Sequence, residues 1–362
     1  MLITNIEELR LYFPTHAIDS IDPFIAVIDN AEHDFLSEKL GTPLYAALCQ
    51  WYEDNTDTYE KTIGKDTTEY NQLLLLCQRC IAYNVMARAI GLNIISINNA
   101  GINISTADDY GKADLAAVET FKTTCIKESH AAINRLLQTL EDWTEQSAQT
   151  PPPSEDPEEP NEPEETTVPG DSVAGTEKKE ISDLWRSSRY FYLAASLLIP
   201  SARVLQDYLN FYESREKYIL MIPDLHYIQE EIIAPAIGED FCNYLVNLSI
   251  EGKGTPVERK TIVRLRKAMS AMLEERTAVI KLEKARAAHV HDESVRLLQA
   301  AIDYIKNRIN DFPSEAVKDS PLNIAPKSEA SEETTVPDDS VAGQTYKNNQ
   351  ENSAIFLTPI LD

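Results

Sequence analysis

Apolar residues recur at helical spacing along almost the whole chain. Ile6, Leu9 and Phe13 share a face behind Thr4 and Glu7, which read as a capping box. Asp22-Pro23 opens a second helix with Phe24, Ile28, Ala31 and Phe35 on its stripe, and Gly41 is placed to end it. Leu44, Leu48 and Trp51 mark a third helix, and Leu73, Cys77, Cys80, Asn84 and Arg88 a fourth. Residues 92–104, LNIISINNAGINI, alternate apolar and polar about Asn-Asn-Ala-Gly, the pattern of a β-hairpin. A long helix beginning at Ser105 to Asp108 follows and carries Leu115, Val118, Cys125, Ile133, Leu136, Leu140 and Trp143. Further on, Thr255-Pro256-Val257-Glu258 combines an N-cap, a proline at the first helical position and a capping glutamate. Val295, Leu298, Ile302, Ile305 and Ile309 then keep 3-4 spacing on a closing helix.

The pattern also repeats. EETTVPGDSVAG at 164–175 returns as EETTVPDDSVAG at 332–343, differing at one position. The flanking parts align more weakly: Leu2-Ile3-Thr4 with Leu198-Ile199-Pro200, and residues 31–48 with 228–245, where Gly41 overlies Gly238. The reading is a mainly α protein of two tandem duplicated helical-bundle domains, each with a candidate short hairpin or strand. The domains are 1–146 and 184–312, the latter with an apolar segment at 187–195. An acidic, proline-rich linker at 147–183 is expected to be disordered, as is a second linker at 313–351, and an apolar strand-like tail at 352–362 closes the chain.

Charge sharpens this division. The chain carries 59 acidic and 33 basic residues, a net of −26. Residues 1–150 hold 22 acidic against 10 basic, whereas 181–312 balance at 18 each. Residues 151–180 hold 10 acidic against 2 basic, and 313–362 hold 9 against 3, so the linkers are the densest in acid. Such a balance argues against broad capture of nucleic acid or anionic lipid. The opening MLITNIEELR lacks the pattern of a signal peptide, and the apolar run 190–200 is too short to span a bilayer. Five cysteines without a regular framework read as reduced thiols.

Candidate chemistry is thin. Cys77 and Cys80 form a CxxC, but within an apolar helical stripe and without a second pair for zinc, so they read as core residues. His289 and His291 are two apart and face away from each other on a helix. The loop 54–66 lacks the glycine and glutamate of an EF-hand, and no phosphate-binding or nucleophile-elbow motif occurs. No catalytic residue, metal or cofactor is expected, and the protein reads as a non-enzyme.

Two features point to contacts instead. Lys253 to Arg286 holds ten basic residues against four acidic, with Lys253, Arg259, Lys260, Arg264, Arg266 and Lys267 as a candidate basic face. That face reads either as a contact for an acidic neighbour or as a solvated helix surface. Each linker is followed by a short apolar patch, carried by Tyr190, Phe191 and Tyr192 in the first case and by Ile355, Phe356 and Leu357 in the second. Such segments either dock on a neighbour, for instance as an added strand, or fold back on their own domain.

The stretch LLIPSARVLQDYLNFYESREKYILMIPDLHYIQEEIIAPAIGEDFCNYL (197–245), with its weaker echo in 2–48, resembles a family encoded by phages and prophages of gut Bacteroidetes. That family is in turn similar to the small all-helical head–tail connector (adaptor) proteins of tailed phages. The resemblance implies a structural virion protein, assembled in the host cytoplasm. It implies a homo-oligomeric ring with portal or tail proteins as partners, no membrane, and nucleic acid at most incidental. The duplication departs from single-copy connectors. A monomeric tandem adaptor binding protein partners is the alternative reading.

Overall fold

The computed structural model describes residues 1–12, 20–62, 68–98, 101–104, 115–149, 171–193 and 196–323; side chains are not described for 56–62, 91–104, 115, 148–149 and 171–175. The protein is mainly α. Helices α1 (Ile6–Arg10), α2 (Ile25–Ala31), α3 (Ser37–Leu40), α4 (Thr42–Thr62) and α5 (Glu69–Ile94) come first. Two short antiparallel strands, β1 (Ile95–Asn98) and β2 (Gly101–Ile104), pair Ile95 with Ile104 and Ile97 with Ile102. Leu92 to Ile94 end α5 rather than open the first strand. Helices α6 (Leu115–Gln149) and α7 (Asp171–Arg186) follow. The chain continues through α8 (Ala202–Gln206), α9 (Arg215–Tyr227), α10 (Ala234–Ile237), α11 (Glu239–Glu251), α12 (Pro256–Ile280), α13 (Lys284–Lys306) and α14 (Ser314–Val317).

Local chemistry accounts for most boundaries. The first capping box is Asn5 with Glu8, one residue beyond Thr4 and Glu7. Asn5 Oδ1 accepts the Glu8 N–H at 3.0 Å, and Glu8 accepts those of Thr4 and Asn5. Both registers fit the sequence; Glu8 wins because it is buried, where it also takes the Tyr52 hydroxyl. Thr255 and Glu258 cap α12 as expected from their spacing. Between α2 and α3 the helix widens into a π segment, Glu32–Leu36, which inserts a residue per turn and shifts the stripe. Leu36 therefore enters the core in place of Phe35.

A second π segment, Ile228–Ile233, lies between α9 and α10. The two share their wiring. Glu32 Oε1 accepts the Leu2 N–H at 2.7 Å, and Gln229 Oε1 accepts that of Leu198 at 2.8 Å. The Leu2 carbonyl accepts Gln78 Nε2 from α5; the Leu198 carbonyl accepts Arg266 Nε from α12, both at 2.7 Å. Each π segment leads through one short helix to a glycine at positive φ, Gly41 at +80° and Gly238 at +102°.

Residues Met1–Asn323 make one compact unit with a continuous apolar core. The bundles expected as separate domains at 1–146 and 184–312 therefore share an interior. Parts of the expected linkers are ordered within it. Residues 171–183 belong to α7, which buries Ile181 and Trp185, and in 313–323 Val317 is buried and Ser320 donates to the Ile237 carbonyl. Apolar residues at 3-4 spacing (Ile181, Leu184, Trp185) overcame the acidic composition there. The stretch Glu69–Ile90 of α5 is long and apolar enough to cross a membrane by length and composition, unlike the shorter run at 190–200. Here it is packed against α2, α4, α6 and α7.

Candidate protein-contact surface

Buried polar chemistry in this molecule holds helices together. Arg215, at the start of α9, is 1% exposed. Its Nε donates to Glu141 Oε2 of α6 at 2.8 Å, its Nη2 to Glu213 at 3.2 Å, and its backbone N–H to Asn134 Oδ1 at 2.8 Å. The Tyr192 hydroxyl donates to the other Glu141 oxygen at 2.6 Å. Burial pushes the Glu141 carboxyl up, while the Tyr192 hydroxyl and the Arg215 guanidinium pull against it. Burial beside Glu141 raises the Tyr192 phenol far above its usual range. Both charges are sealed from solvent, so the cluster is a clamp between halves.

That clamp settles where the first apolar patch goes. Tyr192 is buried, and Phe191 and Tyr192 each meet the ring of Trp185 edge-on, with centroids at 5.0 and 5.6 Å. Trp185 Nε1 donates to the Lys39 carbonyl at 3.2 Å. Tyr190 stays half-buried under the Arg189 guanidinium, 4.7 Å from its ring centroid, beside a surface cleft of about 440 Å³. Of the two readings of 187–195, the described part, 187–193, folds back on its own unit, because Glu141 and Trp185 supply partners for Tyr192 and Phe191. Ile355, Phe356 and Leu357 lie outside the described residues.

The basic face divides. Arg266 turns inward, its Nε on the Leu198 carbonyl and its Nη2 on Ser249 Oγ at 2.6 Å, and so leaves the candidate face. Lys253 pairs with Glu251 at 3.2 Å. Arg259 is exposed on α12. Lys260, Arg264 and Lys267 share one groove of about 230 Å³ between α12 and α13.

Sequence reading missed the most exposed apolar surface. Tyr212, Leu220, Ile280 and Leu282 are 83, 78, 74 and 81% exposed. Tyr212 and Glu213, at φ +62° and +49°, precede α9; Leu282, at +60°, sits in the turn between α12 and α13. Bulky residues in this region cost about 1–3 kcal/mol each and persist where the surroundings over-determine them. Here Gln206 Oε1 accepts the Phe211 and Glu213 N–H groups, at 3.3 and 2.7 Å, and Asn210 accepts that of Tyr212. The held turn presents Tyr212 outward over a groove of about 360 Å³ that includes Phe211, Met221, Ala278 and Lys281. Arg286, at the groove edge, is committed to Glu274 and Glu283. The available sequence signal is the apolar run Val279, Ile280 and Leu282 at a helix end, with no periodic partner.

No group of His, Cys, Asp and Glu suited to a metal occurs among the described residues. Cys77 and Cys80 are fully buried in α5, and burial raises both thiols; Cys242 is pushed up to about 11 for the same reason. Cys125 is buried too, which leaves Cys49 as the half-exposed thiol. A thiol reagent added to the native chain is expected to label Cys49 first and the other four only on unfolding. Fast native labelling of Cys77 or Cys80 would contradict this packing.

With the geometry in place, comparison adds one relationship. Residues 36–153 match a family of unknown function, DUF6712. The matched stretch runs from the end of the first π segment through α6 and contains Trp51, the CxxC and Glu141. No curated protein and no solved structure matches the chain.

Proposed function

We propose that this protein is a non-enzymatic assembly component of a phage or prophage virion, of head–tail connector type. It works through oligomerisation and through contacts with portal or tail proteins. One observation carries the assembly part of this reading. Four large apolar side chains, Tyr212, Leu220, Ile280 and Leu282, stand exposed, three of them on or beside strained turns, while the buried ion pair and aromatic cluster are spent on the fold itself. Exposed apolar surface kept in place against backbone strain is a signature of a contact surface. A second copy is the occupant that fits. Lys217 and Lys281 flank the groove, and residues 1–150 carry the net acid to face them.

The two halves are, in this proposal, tandem copies of one helical unit. The matched π segments, the glycines that follow them, and the Leu2 and Leu198 carbonyl contacts support that reading. Fusing two copies makes one chain count as two positions in a ring.

Light scattering on the full chain at two concentrations tests the assembly. The expected result is a discrete oligomer that Ile280→Glu with Leu282→Glu shifts towards the 40.7 kDa monomer. A wild-type monomer at both concentrations would overturn self-assembly and favour the tandem adaptor.

A further inference from the structure

The groove between α12 and α13 has charge that the fold leaves unused. Tyr304 of α13 is ringed by three cations: Arg264 at 4.7 Å, Arg308 at 5.3 Å and Lys260 at 5.6 Å from its centroid. Lys267 lines the same groove one turn on from Arg264. Arg308 has Asp311 at 3.4 Å, but no carboxylate lies within ion-pair distance of Lys260, Arg264 or Lys267 among the described residues. Arg264 Nε is a buried donor without a hydrogen-bond partner. The corresponding helix of the first half treats its cations differently. In α5, Arg79 lies 4.0 Å from Glu128 and Arg88 lies 3.4 Å from Asp34. In a chain of net −26, two unpaired cations on one aromatic ring, Lys260 and Arg264, with a third, Lys267, one turn on, make a local positive site that favours an anionic occupant.

The chain itself contains a matching anion. Residues 155–165 read EDPEEPNEPEE, with seven carboxylates and no basic residue. Prolines recur every third position, at Pro157, Pro160 and Pro163. Asp156, Glu159, Glu162 and Glu165 share that period. A polyproline II helix has three residues per turn and rises ~3.1 Å per residue, so it would place these four on one edge, about 9 Å apart. On α12, Lys260 and Lys267 are seven residues apart, which at ~1.5 Å per residue spans about 10.5 Å, with Arg264 between them. Two neighbouring carboxylates of that edge therefore match Lys260 and Lys267 in sign and spacing, with Arg264 between them. The second acidic stretch, 313–351, lacks the triplet period. Three unpaired cations are few for nucleic acid, whose affinity grows with the number of phosphates neutralised, which favours the peptide.

We infer that the groove of Lys260, Arg264, Lys267 and Tyr304 binds the acidic segment 155–165 of a second copy of this chain. The segment is tied at both ends to the α6–α7 hairpin of the first half, whose helices run antiparallel through contacts such as Gln146 with Lys178 and Thr144 with Arg186. The groove belongs to the second half. First half to second half is a head-to-tail contact, which can repeat from copy to copy and close a ring. The inference rests on the assembly reading for the second copy only.

An equimolar mixture of light and isotope-labelled heavy full-length chain, treated with a carbodiimide that joins carboxylates to lysine amines, tests this. Mass spectrometry is expected to find Lys260 and Lys267 joined to 155–165, with about half of the linked pairs light–heavy, as random pairing between identical copies gives. Arg264→Gln is expected to reduce those pairs about tenfold, and 1 M salt on the wild type to do the same, because screening then acts within about 3 Å. Links found only within one chain would overturn the second-copy assignment. Absence of these links, with a single-stranded oligonucleotide protecting Lys260 and Lys267, would overturn the proposal and give the groove to nucleic acid. Light scattering reports oligomerisation separately, so a ring that forms without these links would sink this inference while sparing the assembly reading.

Discussion

Replacing Arg215 by alanine is expected to lower the melting temperature by about 6 °C. Arg215 is 1% exposed, and Glu141, at 5%, has two ordered partners, Arg215 and the Tyr192 hydroxyl. Truncation strands the Glu141 carboxylate in a site whose burial already pushes its carboxyl up. Breaking one side of a buried pair costs about 3–5 kcal/mol, and a unit of the size of Met1–Asn323 loses roughly 1.5 °C per kcal/mol. Removing both charges tests the origin of the loss. Arg215→Met with Glu141→Leu should recover much of it, because no ion is then left unpaired, even though the Tyr192 hydroxyl loses its acceptor. A calorimetric cycle in which the two single changes simply add would show that the pair does not act as a unit.

Gly41→Ala is expected to cost about 4 kcal/mol, the sum of backbone strain and a steric conflict. Gly41 has φ +80° and ψ 153°, a region closed to residues with a Cβ. An added Cβ would lie 1.8 Å from Ser188 Oγ and 2.4 Å from Ser188 Cβ. Ser188 cannot simply rotate away, because its N–H is bonded to the Trp185 carbonyl and its Oγ takes the Tyr190 N–H. The whole turn that seats Phe191 and Tyr192 would have to move. Gly238→Ala meets the Ser320 backbone at 2.9 Å at φ +102° and should behave similarly. Gly252 provides the control: it is at φ +66° with nothing within 4 Å, so alanine there should cost about 1 kcal/mol of strain alone. Denaturant midpoints for the three variants check the order, and comparable losses at Gly41 and Gly252 would remove the steric argument.

Much of the local structure was legible. Helical spacing marked α2, α4, α5, α12 and α13, the Thr255 cap was readable at residue level, and Gly41 and Gly238 marked helix ends. Cys77 and Cys80 read as core from the apolar stripe that carries them, and they are core. The π segments were not legible. An inserted residue leaves the local pattern helical and shows only in which neighbour, Leu36 or Phe35, reaches the interior. Composition misled at 171–183, where the average acid content hid Ile181 and Trp185 on one face of α7. Of the candidate contact residues, Tyr192 became core and Arg266 an internal strut, while Lys260, Arg264 and Lys267 came together.

By itself, then, the sequence determined the helical character, the Thr255 cap and the uneven placement of acid along the chain. These follow from side-chain periodicity and local backbone preference, which act over a few residues. Only the tertiary structure decided that the halves share one core, because the pairs that join them are distant in sequence. Glu141 meets Arg215 across 74 positions, and His130 meets Glu216 across 86. No local pattern encodes such a meeting; it arises when burying one half's aromatic and charged residues requires partners that the other half supplies. The same packing decided which apolar residues stayed outside, leaving Tyr212, Leu220, Ile280 and Leu282 exposed on the finished unit.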